Sequence, residues 1–547
     1  MNRTLVKTSL KSILSMSFIC VLSSVSVPTQ VDALQETQKT KNVIMIQTDH
    51  EMFYQHGTEF DTYKIKRPYY DEFCSTGVQF SNAKSINPLC SPARRTTLTG
   101  LYPHQHGIIT NSTGLTPTTE PQTIYDVLLT NGFDNKNIYF YGKTHYSGSL
   151  QGEDTPYTTY GVQGWQSTGY GQPYKTDRYR RYLEEHNYFG TPQYTAPIMT
   201  LIDSPLNANP IYGEGDSYNI ANMNIITGNV FGILDTPKEY HECYFLADMV
   251  NVQLQQIVNS GNEEGFVMSV NFWGPHHPYY PTQEFVDLYV DENGVLGGNI
   301  DEHPSFRDDF SNKPMVYAYD NQSVANPSLE VPHPKSWEEF RRYLAVAYAQ
   351  TTMVDDAVGQ ILNTIKRLGL DENTTVIWTS DHGDALSSHG GHSDKECYMV
   401  EEILDIPMAI NSPDFPQEII GKNNYAYVNN ADVPVTMLGV MGYEFETYVV
   451  GMDMVKLAKG EITPREYMVC ESNGHFSDTR ARTVYYDNYK YTYYLGDIDE
   501  LYDLKNDRYE LNNLINDPMQ QGRIAFMRNL IREWQIQEKD FIPLVNV

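Results

Sequence analysis

Four short apolar runs, each followed at once by charged or histidine side chains, constrain the fold of this chain most strongly. The runs span residues 43–48, 138–141, 266–272 and 375–380 and are rich in β-branched and aromatic residues, which favour strands. The side chains that follow them are Asp49 with His50, Lys143 with His145, His276 with His277, and Asp381 with His382. Open α/β sheets bind ligands beyond the carboxyl ends of their strands, so this recurrence predicts one shared site.

Helical patterns separate the apolar runs. The segment 346–368 carries apolar residues at helical spacing, and residues 124–129 show a shorter pattern of the same kind. Strands that alternate with helices predict an α/β fold around a mostly parallel sheet. A chain of 547 residues exceeds the usual size of a single core, so we expect a large domain with a smaller companion. An amphipathic helix at residues 524–536 is expected to cover the sheet of the small domain.

The N-terminus has the pattern of a secretory signal peptide, residues 1–33. Three basic residues precede an apolar run at residues 13–27, and Ala33 ends a segment that a signal peptidase could accept. The run is short and interrupted by serines, and no later stretch is apolar enough to span a bilayer. We therefore expect a secreted or periplasmic protein without a membrane span. Export permits disulfides, and three pairings or none are open to the cysteines outside the signal and position 90, which are Cys74, Cys243, Cys397 and Cys470.

One cysteine stands where neighbouring charge could activate it. Cys90 lies two residues before Pro92 and four before Arg94. A thiol becomes a useful nucleophile where positive charge favours its anion, and Arg94 and Arg95 supply that charge. A helix that begins at Thr96 to Leu98 would add backbone N–H donors, which suit an oxyanion. The alternative interpretation is a buried structural cysteine beside a turn proline.

Residues 90–100 resemble the signature of the type I, formylglycine-dependent sulfatases of the alkaline phosphatase superfamily. In that family a maturation enzyme converts the signature cysteine to formylglycine, whose hydrate is the nucleophile. The resemblance therefore implies that Cys90 is modified in this way, with the maturation enzyme as a partner. Similarity continues through residues 101–107 and into the closing segment at 500–514.

The resemblance also implies an architecture. Residues 42–455 are expected to form the catalytic α/β domain, with a mostly parallel mixed sheet sandwiched by helices as in alkaline phosphatase. Residues 456–547 are expected to form a small C-terminal α+β domain with an antiparallel sheet. The similarity runs from about residue 42 to residue 517 and so includes both parts.

Two of the four strand ends read Asp-His, which is a plausible source of ligands for a divalent cation. The family binds calcium with residues at these positions and with the formylglycine. The resemblance thus implies a metal site made by Asp49, His50, the modified Cys90, Asp381 and His382. His50 departs from the usual second aspartate of the family. Its nitrogen shifts the preference toward manganese, so Ca²⁺ is expected first, with Mn²⁺ or Mg²⁺ as alternatives.

Four further positions take catalytic roles from the resemblance, beside Cys90 and Arg94. Lys143 and Lys395 match the two lysines that contact sulfate oxygens. His145 matches the base that releases sulfate from the modified residue, and His276 matches the donor of a proton to the leaving oxygen. These assignments imply hydrolysis of a sulfate monoester with water as the only consumed reactant.

Three functions remain open at this point. The first is a sulfatase that acts on a sulfated carbohydrate or on a small sulfate ester. The second is a phosphonate monoester or phosphodiester hydrolase of the same superfamily, which the departure at His50 favours. The third is a non-catalytic protein that binds sulfated glycans, if Cys90 is not converted. The formal net charge of −30 excludes nucleic acid as an expected partner and mildly favours a small or sparsely sulfated substrate.

Overall fold

The computed structural model describes most of the chain beyond its N-terminus. The described residues are 41–53, 64–111, 114–115, 121–146, 160–167, 173–188, 193–195, 217–219, 232–261, 265–277, 279–322, 336–392, 394–475 and 477–546. The predicted signal peptide, residues 1–33, lies outside them. Within these ranges no helix combines the length and the apolarity needed to cross a bilayer.

Fifteen strands form three sheets in the described residues. In chain order, β1 to β15 are Asn42–Asp49, Val78–Lys84, Ile138–Lys143, Gln163–Ser167, Gln193–Thr195, Ser217–Asn219, Ile233–Leu234, Val267–Pro275, Thr374–Ser380, Met408–Asn411, Lys422–Asn429, Tyr467–Ser472, Ala481–Tyr486, Tyr489–Tyr494 and Glu500–Asp503. The largest sheet has eight strands in the order β11-β2-β10-β9-β1-β8-β3-β4. Only β10 runs antiparallel to its neighbours in this sheet. The expected mostly parallel mixed sheet is therefore confirmed.

Both faces of the large sheet are buried under helices. Along β1, Ile44 and Ile46 pack in one apolar cluster, and Val43 and Met45 pack in the other. This alternation explains why β1 reads as a continuous apolar run. The helices of seven residues or more in the described residues are α1 to α9, which span Pro68–Thr76, Cys90–Thr99, Ile124–Thr130, Asp177–Glu185, Glu242–Ser260, Met315–Gln322, Trp337–Arg367, Asp432–Val440 and Gln521–Glu538.

The four apolar runs form four neighbouring strands at the centre of the large sheet. They correspond to β9, β1, β8 and β3, in that spatial order, and they all run parallel. Thr48 pairs with Ser380, and Asp49 is level with Pro275, so the strands end at nearly the same height. The side chains after them are thus delivered to one edge of the sheet, as the sequence predicts.

A smaller antiparallel sheet, β12-β13-β14-β15, lies near the C-terminus. One face is covered by α9, whose Met527, Ile531 and Trp534 pack on Val484 of β13 and on its neighbours. The predicted covering helix and the antiparallel α+β character of this part are confirmed. The boundary at residues 455 and 456 stays a prediction. Three of the cysteines that could pair, Cys74, Cys243 and Cys470, carry free thiols.

A buried ion-pair network connects the two sheets. Glu401 accepts contacts from Lys84 of β2 at 2.7 Å, from Arg508 at 3.1 Å and from Lys490 of β14 at 3.3 Å. The Tyr485 hydroxyl of β13 also donates to Glu401, at 2.7 Å. All these groups are buried, and without Glu401 the three cations would share only Asp405 and Glu510 as carboxylate partners among the described residues.

We expect Glu401→Ala to destabilise the protein by about 3–5 kcal/mol, because three buried cations lose a shared carboxylate. The measurement is the midpoint of urea unfolding, followed by circular dichroism. The matched control is Glu184→Ala, since Glu184 pairs with Arg180 in an exposed ion pair that should contribute about 0–1 kcal/mol. Equal midpoints for both variants would contradict the role assigned to this network.

Candidate active site

Cys90 is the first residue of α2 and is completely buried. The preceding Leu89 is extended, so the helix begins directly at this cysteine and not at the predicted Thr96 to Leu98. The Cys90 Sγ atom lies 3.0 Å from Nε2 of His382 and 4.0 Å from Oδ1 of Asp49. Nδ1 of His382 donates to the carbonyl of Gly383 at 2.8 Å, which fixes the ring with Nε2 toward the sulfur. The cysteine thus faces the ends of β1 and β9.

Arg94 is one helical turn after Cys90 and joins these two strand ends. Its Nε donates to Asp381 Oδ2 at 2.8 Å, and its Nη2 donates to Asp49 Oδ2 at 2.9 Å. All three side chains are fully buried. The charge-assisted hydrogen bonds compensate two carboxylates that would otherwise repel each other in the interior.

Lys143, the last residue of β3, also contacts Asp49. The residue before it is Gly142, which has a φ of 97° and lies against β8. A Cβ atom there would collide with the carbonyl oxygen of Asn271. A glycine is therefore required where β3 closes on β8 and aims the lysine at the site.

The positive charges around Cys90 alter its acidity. Burial alone would raise the pKa of the thiol, but Lys395 and Lys143 outweigh burial and lower that pKa. Burial also opposes ionisation of Asp49, yet Lys143 and Arg94 bring the pKa of this carboxyl below its usual value. The site therefore favours anions at position 90 and at Asp49.

Four of the predicted metal ligands come together. Asp49, Cys90, Asp381 and His382 each offer a ligand atom, and these atoms lie within 4.8 Å of one another. All four residues are buried. Two carboxylates and one imidazole suit a divalent cation such as calcium or manganese, with the group at position 90 as a further ligand. The residues present therefore fit a metal at this place.

His50 belongs to a second group of possible ligands. Although it directly follows Asp49, its Nε2 lies 3.1 Å from Asp394 Oδ1 and 3.6 Å from Asp384 Oδ2. Its ring centroid is 4.6 Å from that of His276 and 4.9 Å from that of His382. The contacts of His50 thus lie with the second group, and its place beside Asp49 in one ligand set stays a prediction.

Lys395 and His276 form a contact beside this second group. The Lys395 Nζ lies 3.1 Å from His276 Nε2 and 3.0 Å from Asp394 Oδ1. Nδ1 of His276 donates to the carbonyl of His277 at 2.7 Å, so Nε2 is the nitrogen that accepts from the lysine. Burial and the charge of Lys395 hold the pKa of His276 well below its usual value.

His145 follows the end of β3 in a left-handed conformation, with a φ of 50°. The ring is buried. Burial and the charge of Lys143 hold its pKa well below the usual value, so the imidazole is neutral. The charges of Asp49, Arg94 and Lys395 also act on this ring, which places His145 in the same site.

The structure therefore brings the selected residues to one edge of the sheet and divides the possible metal ligands among them between two groups. Sequence analysis missed Asp384 and Asp394, which flank His50, and Tyr279, which donates to Asp384 at 2.9 Å. Both aspartates adjoin selected positions, since Asp384 comes two residues after His382 and Asp394 precedes Lys395. That proximity is the signal that could have found them.

Comparison with known proteins agrees with this geometry. The sequence model of the Sulfatase family matches residues 41–443, and that of the N-sulphoglucosamine sulphohydrolase C-terminal region matches residues 388–537. The Delta 4,5-hexuronate-2-O-sulfatase of Bacteroides thetaiotaomicron is 24% identical over 520 residues, which cover 93% of this chain and 91% of that protein.

Two solved structures have the same fold. One is a protein in complex with its substrate D-glucosamine-2-N,6-O-disulfate, with a TM-score of 0.64, 19% identity and coverage of 92% of this chain and 99% of that one. The other is the phosphonate monoester hydrolase of Agrobacterium radiobacter, with a TM-score of 0.68, 18% identity and coverage of 91% and 96%. The Sulfatase match extends over most of the chain and over every strand end of the site. The chain therefore belongs to the sulfatase family and is a sulfuric ester hydrolase.

Proposed function

We propose that this chain is an exported sulfatase that hydrolyses sulfate monoesters of a sulfated carbohydrate or of a small sulfate ester. The observation that carries the proposal is the position of Cys90, at the start of a buried helix and among Asp49, His382 and two lysines. This is the position that the family converts to formylglycine, and we propose the same modification here by a maturation enzyme. The signal-peptide pattern of residues 1–33 supports export to the periplasm or the medium.

The cations of the site would hold the sulfate group. A sulfate monoester carries negative charge on oxygens that must be neutralised as the ester bond breaks. Lys143 and Lys395 are the two ammonium groups whose charges act on position 90. Arg94 is already fixed by Asp49 and Asp381, so we assign it to hold these carboxylates in place and to add positive charge.

Asp49, Asp381 and His382 would hold a divalent cation together with the group at position 90, with Ca²⁺ proposed first and Mn²⁺ or Mg²⁺ as alternatives. When bound, the metal polarises sulfate oxygens, and a formylglycine supplies an oxygen nucleophile. The protein contributes the fixed geometry, since His382 and Asp381 are held by hydrogen bonds on their outer sides.

Proton transfer falls to two histidines. The leaving oxygen needs a proton, and we assign its supply to the pair of Lys395 and His276, which are 3.1 Å apart. Burial and the charge of Lys143 keep His145 neutral, so its imidazole can accept the proton when sulfate leaves the modified residue. Water completes the hydrolysis and sulfate leaves.

A sugar substrate is supported by the relatives. The sulfatase from Bacteroides thetaiotaomicron, which is 24% identical over 93% of this chain, is named for a hexuronate sulfate. The two solved structures, at 19% and 18% identity, concern the fold alone. We therefore place the sulfated carbohydrate first.

Natively matured protein should release inorganic sulfate from at least one member of a panel of sulfated sugars and small sulfate esters, whereas Cys90→Ala should release none. Loss of the side chain removes the precursor of the nucleophile while α2 tolerates alanine. Ion chromatography of sulfate is the measurement, and mass spectrometry reports formylglycine at position 90. Hydrolysis of phosphonate esters alone, by protein with confirmed formylglycine, would refute the proposed substrate class.

Arg94→Lys should lower kcat by about 100-fold or more, on the order of 3 kcal/mol of transition-state stabilisation, because lysine cannot contact both carboxylates. The matched control is Arg95→Lys, since Arg95 adjoins Arg94 but lies outside the assigned site. Both variants are compared by kcat for sulfate release and by circular dichroism. Unchanged turnover in folded Arg94→Lys would remove Arg94 from the site chemistry.

Removal of divalent cations should abolish sulfate release, and addition of Ca²⁺ should restore it. Asp381→Asn should raise the concentration of Ca²⁺ needed for half-maximal recovery, because a carboxylate ligand is lost. Asp309→Asn is the control, since Asp309 is exposed and belongs to neither ligand group. Full activity after chelation, with metal content confirmed as absent, would contradict the assigned role of these ligands.

A further inference from the structure

Three histidines and an aspartate form a second cluster beside the first ligand group. His50 follows β1, His276 and His277 follow β8, and Asp394 lies in the loop after β9. One ligand atom from each lies within 4.8 Å of the others. His50, His277 and Asp394 are buried or nearly so, and His276 is half-buried. The segments that follow three parallel strands, β1, β8 and β9, therefore bring this cluster together.

Two of these imidazoles lack the partners that buried polar groups require. Neither ring nitrogen of His50, nor Nδ1 of His277, makes a well-aligned hydrogen bond within the described ranges. The approach of His50 Nε2 to Asp394 at 3.1 Å is a short polar contact rather than such a bond. Buried polar atoms are normally satisfied, so these nitrogens indicate a missing partner that accepts their lone pairs.

A cation already occupies part of the space between these groups. The Lys395 ammonium contacts both His276 Nε2 and Asp394 Oδ1, at 3.1 and 3.0 Å. The lone pair of His276 and the carboxylate of Asp394 thus converge on one positive charge. A divalent ion bound there would take over these contacts and would also reach His50 and His277.

The surroundings have the form of a metal site rather than of a plain polar network. Asp394 has a left-handed backbone, with a φ of 69°, and its N–H donates to Asp384 at 2.8 Å. Asp384 also accepts from Tyr279 and faces His50 Nε2 at 3.6 Å. Strained backbone that aims a carboxylate, and a second carboxylate behind it, are features of sites that orient ligands.

We propose that His50, His276, His277 and Asp394 form a second divalent-metal site, with a preference for zinc. Three imidazoles and one carboxylate suit Zn²⁺ better than calcium, which prefers oxygen ligands. The His50 and His382 rings are 4.9 Å apart, so the ion would lie next to the first ligand group. With the ion bound, His276 would be a ligand, and the proton for the leaving oxygen would come from Lys395, the other member of the pair assigned above.

This proposal does not depend on the substrate, and metal content tests it directly. Untagged protein is stripped with a chelator and loaded with zinc together with Ca²⁺, and the bound metals are measured by mass spectrometry after removal of free ions. A parallel titration with Co²⁺ records visible absorption bands, which report imidazole coordination. We expect two ions per chain in the parent, and one in each of His50→Ala, His277→Ala and Asp394→Asn.

The controls separate the two groups of ligands. Asp381→Asn should lose the other ion and keep the cobalt bands of the histidine cluster. His186→Ala removes an exposed histidine outside both groups and should retain two ions. Circular dichroism confirms that each variant is folded. A single ion in the parent, lost in Asp381→Asn and retained in folded His50→Ala and His277→Ala, would overturn the proposal.

Discussion

The Arg94 guanidinium holds together two carboxylates that belong to different strands, Asp49 at the end of β1 and Asp381 just after β9. Two buried carboxylates would repel each other, and one of them would take up a proton if no cation lay between them. Arg94 comes from α2, the helix that begins with Cys90. The same residue therefore compensates the charges and fixes the helix start against the sheet, so the position of Cys90 follows from this bridge.

Around that bridge, two lysines pair with carboxylates of the site. Lys143 is a second cation in contact with Asp49. Lys395 forms an ion pair with Asp394, which also lies next to His50. Several residues here have left-handed backbones, among them His50, His145 and Asp394. Such conformations cost free energy, and the packed sheet on which they stand can supply it. Strain and charge thus concentrate at the edge where the strands end, while the interior of the sheet is regular and apolar.

Much of the fold could be predicted because its signals are local. The apolar runs that became β1, β3, β8 and β9 and the helix Gln521–Glu538 are visible from composition and periodicity within short windows. The short antiparallel strand Met408–Asn411 has no comparable signal, because its direction depends on its neighbours. The ring of His50 could not be placed from sequence for the same reason, since its contacts are non-local. Its neighbour Asp49 suggests one ligand set, but the ring contacts Asp384 and Asp394, which are far away in the chain.

The pairing of β1 has a consequence for how the chain reaches its native state. β1 pairs with β8 and β9, and Asn42 bonds to Thr374, 332 residues later. Such non-local contacts slow folding, and the central strand stays without its neighbours until most of the chain has been synthesised. During that interval Cys90 is accessible, whereas in the finished sheet it is completely buried. Any enzyme that modifies this residue must therefore act before folding is complete. The topology of the sheet thus requires that modification of Cys90 precede closure of the fold around it.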